Sequence, residues 1–233
     1  MQLDLARIFT LFVIQLILAF VFLYLAFIII KRNRKRLNIS FSWFYISSAI
    51  AIFLNMAYAL LFNEFLVALL NYFANFFVGY GLIFILMTNK MMLQSSAVFT
   101  SKQQAKNMII YAILLGLSII FYPFGGVIIN ETTDWRPVWD IYFFIYLVAI
   151  ETIFAVVPIL YTSFKIYRKM SEKAIKKRWA RFFLGIIGLL IYLYLTFLSN
   201  LLNNPTFRLF ATLYAITAVF WAALIYNGIG KQL

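Results

Sequence analysis

The sequence predicts an all-α polytopic membrane protein: a single domain over residues 1–233, folded as a bundle of seven transmembrane helices. Three observations carry that prediction. The chain is 65% hydrophobic and only 12% charged, with a mean hydropathy of +0.95, more apolar surface than the core of one soluble domain needs. Uncharged runs recur near the ~20 residues that a helix needs to cross a hydrocarbon core of ~30 Å. Basic residues collect in short segments between these runs. All the Lys and Arg except Arg7, Arg136 and Arg208 fall on one side of the alternating topology, which the positive-inside rule assigns to the cytoplasm. The amino terminus is then outside and the carboxyl terminus inside. The acids lean the other way: Asp4, Glu64, Glu131, Asp134 and Asp140 are outer and Glu172 is inner. A net charge of +13 would point to nucleic acid in a soluble chain. Here the loop pattern accounts for it, and no nucleic-acid partner is expected. The expected location is the plasma membrane.

The first span covers about 8–30. It is too long for a secretory signal core, and its basic cluster follows rather than precedes it, so it reads as retained. Lys31 to Arg36 stop it. The second span, about 40–62, turns at Asn63-Glu64 into a third, about 65–88; so short a link makes the two antiparallel neighbours. Residues 89–107 read as an inner loop holding Lys90, Lys102 and Lys106. The fourth span, about 108–124, ends at Pro123 and Gly125-Gly126, a helix-stop pattern. Residues 125–139 form the longest outer loop, and its Trp135 and Trp139 fit interfacial anchors. Asn130-Glu131-Thr132 matches a glycosylation sequon. The fifth span covers about 141–164, the sixth about 182–202 and the seventh about 207–227, the last two joined by Asn203-Asn204-Pro205. Gly79, Gly81, Gly185 and Gly188 read as sites of close helix packing.

Candidate site residues are the polar groups that these spans carry into the membrane. Glu151 lies about 16 Å along the fifth span from Asp140 at ~1.5 Å per residue, near the midplane. A carboxyl group there is costly unless protonated, paired or facing water. One reading is a ligand or proton site. The other is a neutral acid that locks packing by hydrogen-bonding Asn55, Asn75, Thr196 or Tyr214. Pro158 removes the donor to the carbonyl of Phe154, so a bend is expected there. Asn71 and Asn75, four apart, share a face. With Asn55, Ser199 and Asn200 they lie in the outer half and must turn inward for partners. They either line an outward-opening pocket above Glu151 or simply bond helix to helix. Tyr192, Tyr194 and Tyr214 are further candidates for contact with a hydrophobic ligand. The basic segment Lys165–Arg181 suits anionic lipid headgroups or a cytoplasmic signalling partner.

Cysteine and histidine are both absent. That excludes disulfides, Cys- or His-ligated metals and Ser-His catalysis. No cofactor is expected, and the chain reads as no enzyme. The seventh span, FRLFATLYAITAVFWAALIYNGIG, lacks the lysine of retinal pigments. The third ends in LMTNKMM, without the acidic-arginine pair of G-protein-coupled receptors.

The short outer turns, the basic KKRWARFFLGIIG entry to the sixth span and the YNGIGKQL exit of the seventh resemble the seven-helix amino-terminal sensor regions of prokaryotic histidine kinases and related orphan seven-helix membrane proteins. The resemblance implies a receptor-like sensor that binds a small or lipid-like ligand within the bundle and signals through a separate partner. A small-molecule or ion transporter or channel, and a structural subunit of a membrane complex, are the alternatives.

Overall fold

Long uncharged runs without interior breakers propagate as helix, because each backbone donor then finds its acceptor within its own segment. The computed structural model describes residues 5–94 and 98–231; the outer placement expected for Asp4 lies outside these residues. Among them, seven helices are long and apolar enough to cross a membrane: α1 Arg7–Arg32, α2 Arg36–Tyr58, α3 Glu64–Leu93, α4 Ser101–Phe124, α5 Ile141–Lys169, α6 Lys173–Leu202 and α7 Pro205–Gly230. This is the predicted helix bundle. Its two ends differ. The loop end carries residues 59–63, 125–140 and 203–204; the basic end carries residues 33–35, 98–100 and 170–172.

Several boundaries depart from the sequence expectation for one reason: hydropathy measures the thickness of an apolar slab, whereas helices continue past it. The inner loop expected over 89–107 is cut back at both ends, with Lys90 on α3, which runs to Leu93, and Lys102 and Lys106 on α4, which starts at Ser101; residues 95–97 of that loop lie outside the described residues. The start of α4 is a capping box. The Thr100 hydroxyl accepts from the Gln103 amide at 3.3 Å, and the Gln103 side chain accepts from the Thr100 amide at 3.1 Å, so a polar stretch still folds as helix. The basic segment Lys165–Arg181 likewise lies mostly on helix ends, leaving only 170–172 between α5 and α6.

The loop between α4 and α5 is ordered by a two-residue hairpin, β1 Val127–Ile128 with β2 Val138–Trp139, in the register Val127↔Trp139. Its tryptophans are not interfacial anchors. Trp135 and Trp139 are 7% and 3% exposed. Trp139 packs on Phe143 and Phe197, with ring centroids 5.0 Å apart in both pairs, and Trp135 meets Phe62 edge-on at 5.4 Å. The loop therefore folds over the bundle and buries its rings there, since packing on other aromatic rings competes with placement at a lipid surface.

Inside, α2 and α3 make the most extensive helix pair. Small hydroxyls let α2 approach its neighbours: Ser47 donates to the Phe77 carbonyl at 2.6 Å and Ser42 to the Ala26 carbonyl at 3.3 Å, the small-residue packing expected where lipid supplies no hydrophobic drive. The expected close-packing glycines have that role between α6 and α7, where Gly185 admits the Trp221 carbonyl and Ile225, and Gly188 admits the Trp221 ring. At the basic end, Arg32 donates to the Gly230 carbonyl at 3.0 Å, and Arg36 to the Phe99 carbonyl at 3.0 Å and the Gln104 side chain at 2.6 Å. These cations tie helix ends together as well as setting charge. Phe20, Tyr24, Phe27, Ile113, Ile153 and Tyr161 stand exposed on the outside of the bundle, an apolar belt that suits lipid and not water.

Candidate functional site

The inward-turning amides converge on a cavity between α1, α2, α3, α6 and α7. A mouth at the loop end, about 440 Å³, is lined by residues including Thr10, Gln15, Asn55, Tyr58, Tyr192, Thr196, Ser199, Asn200 and Thr212. A narrower chamber of about 150 Å³ continues inward between Asn71, Asn75, Leu18, Phe22, Phe44, Leu82, Ile186 and Leu190. Gln15, Asn55, Tyr58, Tyr192, Thr196 and Asn200 belong to both walls, so the two spaces adjoin and polarity falls with depth. Of the expected site residues, the structure brings together Asn55, Asn71, Asn75, Ser199 and Asn200 here. The Asn55 amide donates to the Gln15 side chain at 2.7 Å and Asn75 to the Asn71 side chain at 2.9 Å, which fixes the amides in the walls.

Three arginines reach this mouth from separate parts of the chain: Arg7 on α1, Arg136 in the loop and Arg208 on α7. They are close enough to repel one another. Arg7 donates to the carbonyls of Asp134 and Trp135 at 2.8 and 2.6 Å, two non-glycine residues in the left-handed region with φ of 51° and 54°. It thereby holds a turn that costs strain. Arg208 donates to the Pro137 carbonyl and the Asn203 side chain, both at 2.9 Å, while its buried Nε has no hydrogen-bond partner among the described residues.

Glu151 occupies a different place. It is fully buried, as its depth predicted, yet neither carboxylate oxygen has a hydrogen-bond partner among the described residues. It faces Gly79 of α3 so closely that a Cβ on Gly79 would overlap Oε1. The Tyr111 hydroxyl of α4 donates to the Gly79 carbonyl at 3.2 Å, so α3, α4 and α5 meet at this acid. The partners expected for Glu151 are engaged elsewhere: Asn55 with Gln15, Asn75 with Asn71, Thr196 with the Tyr192 carbonyl at 2.9 Å and Tyr214 with the Gly188 carbonyl at 3.3 Å. Residue count gives depth along a helix but not which neighbour a face will meet. Glu151 and Tyr214 are outside the cavity walls. Directly after Glu151 the helix widens into a π turn, Thr152–Val156, before resuming as α-helix at Val157. A bend is expected at Pro158; what precedes the proline is this π turn, starting six residues before it, and a wider turn accommodates the missing donor.

The sequence reading missed Gln15 and Tyr58 as wall residues and treated Arg7, Arg136 and Arg208 only as exceptions to the charge pattern. Their signal was present: they are the only cations on the acid-rich side of the predicted topology. It also missed Asn89, read as loop but fully buried, which donates to the hydroxyls of Ser163 at 2.8 Å and Thr162 at 3.1 Å. The chain matches no protein-family model, and comparison with curated proteins and with solved structures finds none similar to it.

Proposed function

We propose that the protein is a receptor-like sensor of the plasma membrane, with its amino terminus outside, that binds a small or lipid-like ligand in the bundle and signals through a separate cytoplasmic partner. The cavity carries this reading. It opens at the loop end, which the charge pattern places outside, and it joins fixed polar groups to an apolar interior, the composition of a small-molecule site. Its mouth lies within the ~300–1,000 Å³ range of such sites. The helix α6 connects both ends of the proposed signal: Thr196, Ser199 and Asn200 line the cavity, while Lys173, Lys177, Arg178 and Arg181 are exposed at the basic end. Those exposed cations suit anionic headgroups and an acidic face on a partner.

The test is a thermal-unfolding screen of the purified protein against single-chain amphiphiles and small polar metabolites, followed by a flux assay of each hit in proteoliposomes. A ligand at 100 times its Kd stabilises by about 2.7 kcal/mol. The receptor reading expects that gain, its loss when Ala74→Trp fills the chamber, and no flux. Binding accompanied by flux would identify a transporter, and a screen without hits would overturn the ligand-binding reading.

A further inference from the structure

The ligand proposed above has a chemical class that the cavity itself specifies. We infer that the site takes a single-chain anionic amphiphile, with its acidic head held by Arg7, Arg136 and Arg208 at the mouth and its hydrocarbon chain in the chamber below. This rests on the reading of the cavity as a ligand site and adds the charge and shape of the occupant.

Charge is the first argument. Three guanidinium groups from distant parts of the chain line one mouth and repel one another, and gathering like charges in a partly dry site is unfavourable unless something offsets them. Holding the loop explains Arg7, whose donors serve two strained carbonyls. It explains Arg208 only in part: that side chain ties the same loop through the Pro137 carbonyl and the α6–α7 turn through Asn203, both neutral acceptors, and its buried Nε is left without a hydrogen-bond partner among the described residues. An acidic head supplies the acceptor that the Arg208 Nε lacks and adds negative charge to that of Asp134, which already acts on Arg7, and guanidinium groups match carboxylate and phosphate geometry.

Shape is the second. Below the mouth the chamber loses polarity and narrows to about 150 Å³, too little for a compact drug-sized molecule. An apolar space this small under a basic mouth leaves room for one hydrocarbon chain and not for the paired chains of a phospholipid.

The experiment uses the full-length protein in nanodiscs of zwitterionic phosphatidylcholine, with empty nanodiscs as the blank. Binding of radiolabelled decanoate is measured, with unlabelled decanol, butanoate and decanoate as competitors. Decanoate is expected to compete at least about tenfold better than decanol, which lacks the charge, and than butanoate, which lacks the chain. Arg208→Gln is expected to weaken decanoate about tenfold or more while leaving decanol unchanged. The comparison of competitors on the parent protein stands even where that variant does not fold. Equal competition by decanol would overturn the anionic assignment and leave the cavity as a site for uncharged ligands. Equal competition by butanoate would overturn the chain. Loss of decanoate binding in phosphatidylglycerol nanodiscs would assign the site to a two-chain bilayer lipid and overturn the single-chain occupant. Decanoate retention no greater than the blank would overturn both this inference and the ligand-site reading on which it rests.

Discussion

Glu151 and Gly79 form the tightest pairing of chemistry and geometry at the scale of single residues. The carboxyl group fits against α3 only because Gly79 has no side chain. Gly79→Ala should therefore destabilise the bundle by about 1–3 kcal/mol, the usual cost of overpacking. The penalty should largely disappear in a Glu151→Ala background, because two residues in contact are not additive. Thermal unfolding of the four proteins gives the coupling, and a penalty that is unchanged by removing the acid would mean that the two do not touch. Replacing the acid itself gives a second expectation. Glu151 has no hydrogen-bond partner to abandon among the described residues, so Glu151→Leu should unfold at or above the parent temperature, since an unsatisfied buried polar group costs about 1–3 kcal/mol. A clear fall in that temperature would reveal a partner, such as an ordered water, that holds the carboxyl group in place.

The fifth helix shows at the scale of elements how one irregularity serves two demands. Its first half must keep Glu151 on Gly79, and its second must keep Ile159, Thr162 and Ser163 against the buried Asn89. The π turn at Thr152–Val156 between them holds one residue more than an α-helical turn would. Deleting exposed Ile153 should return that turn to α geometry and preserve both faces, whereas deleting exposed Ile145 should rotate the residues before it by ~100°. Deletion of Ile153 alone brings the Pro158 ring against the carbonyl four residues earlier, at about 3 kcal/mol. The deletion combined with Pro158→Ala should therefore be more stable than the deletion by itself. Monodisperse yield and unfolding temperature in one detergent test this order; equal loss from the Ile145 and Ile153 deletions would show that the wide turn has no part in the register.

At the scale of the whole molecule, the sequence made legible whatever depends on distance along one helix. The seven spans follow from run length, and the inward turn of Asn55, Asn71, Asn75 and Asn200 follows from the cost of an amide in lipid. The lost information concerned meetings between helices. Arg7, Arg136 and Arg208 lie far apart in the chain, so nothing local marks them as one mouth, and Asn89 read as loop because charged Lys90 follows it. Sidedness is the remaining global property, and it decides whether the mouth faces the exterior. The absence of cysteine makes it directly measurable, since a single introduced thiol has no background. Glu131 and Lys173 are exposed at opposite ends of the bundle, and unlike Asn130, whose side chain caps its own turn, Glu131 can be replaced without removing a cap. An impermeant maleimide should label Glu131→Cys in intact cells and reach Lys173→Cys only after permeabilisation. The reverse pattern would place the arginine mouth in the cytoplasm. The sensor would then sample an internal ligand pool, and the exposed cations of α5 and α6 would lie beyond reach of any cytoplasmic partner.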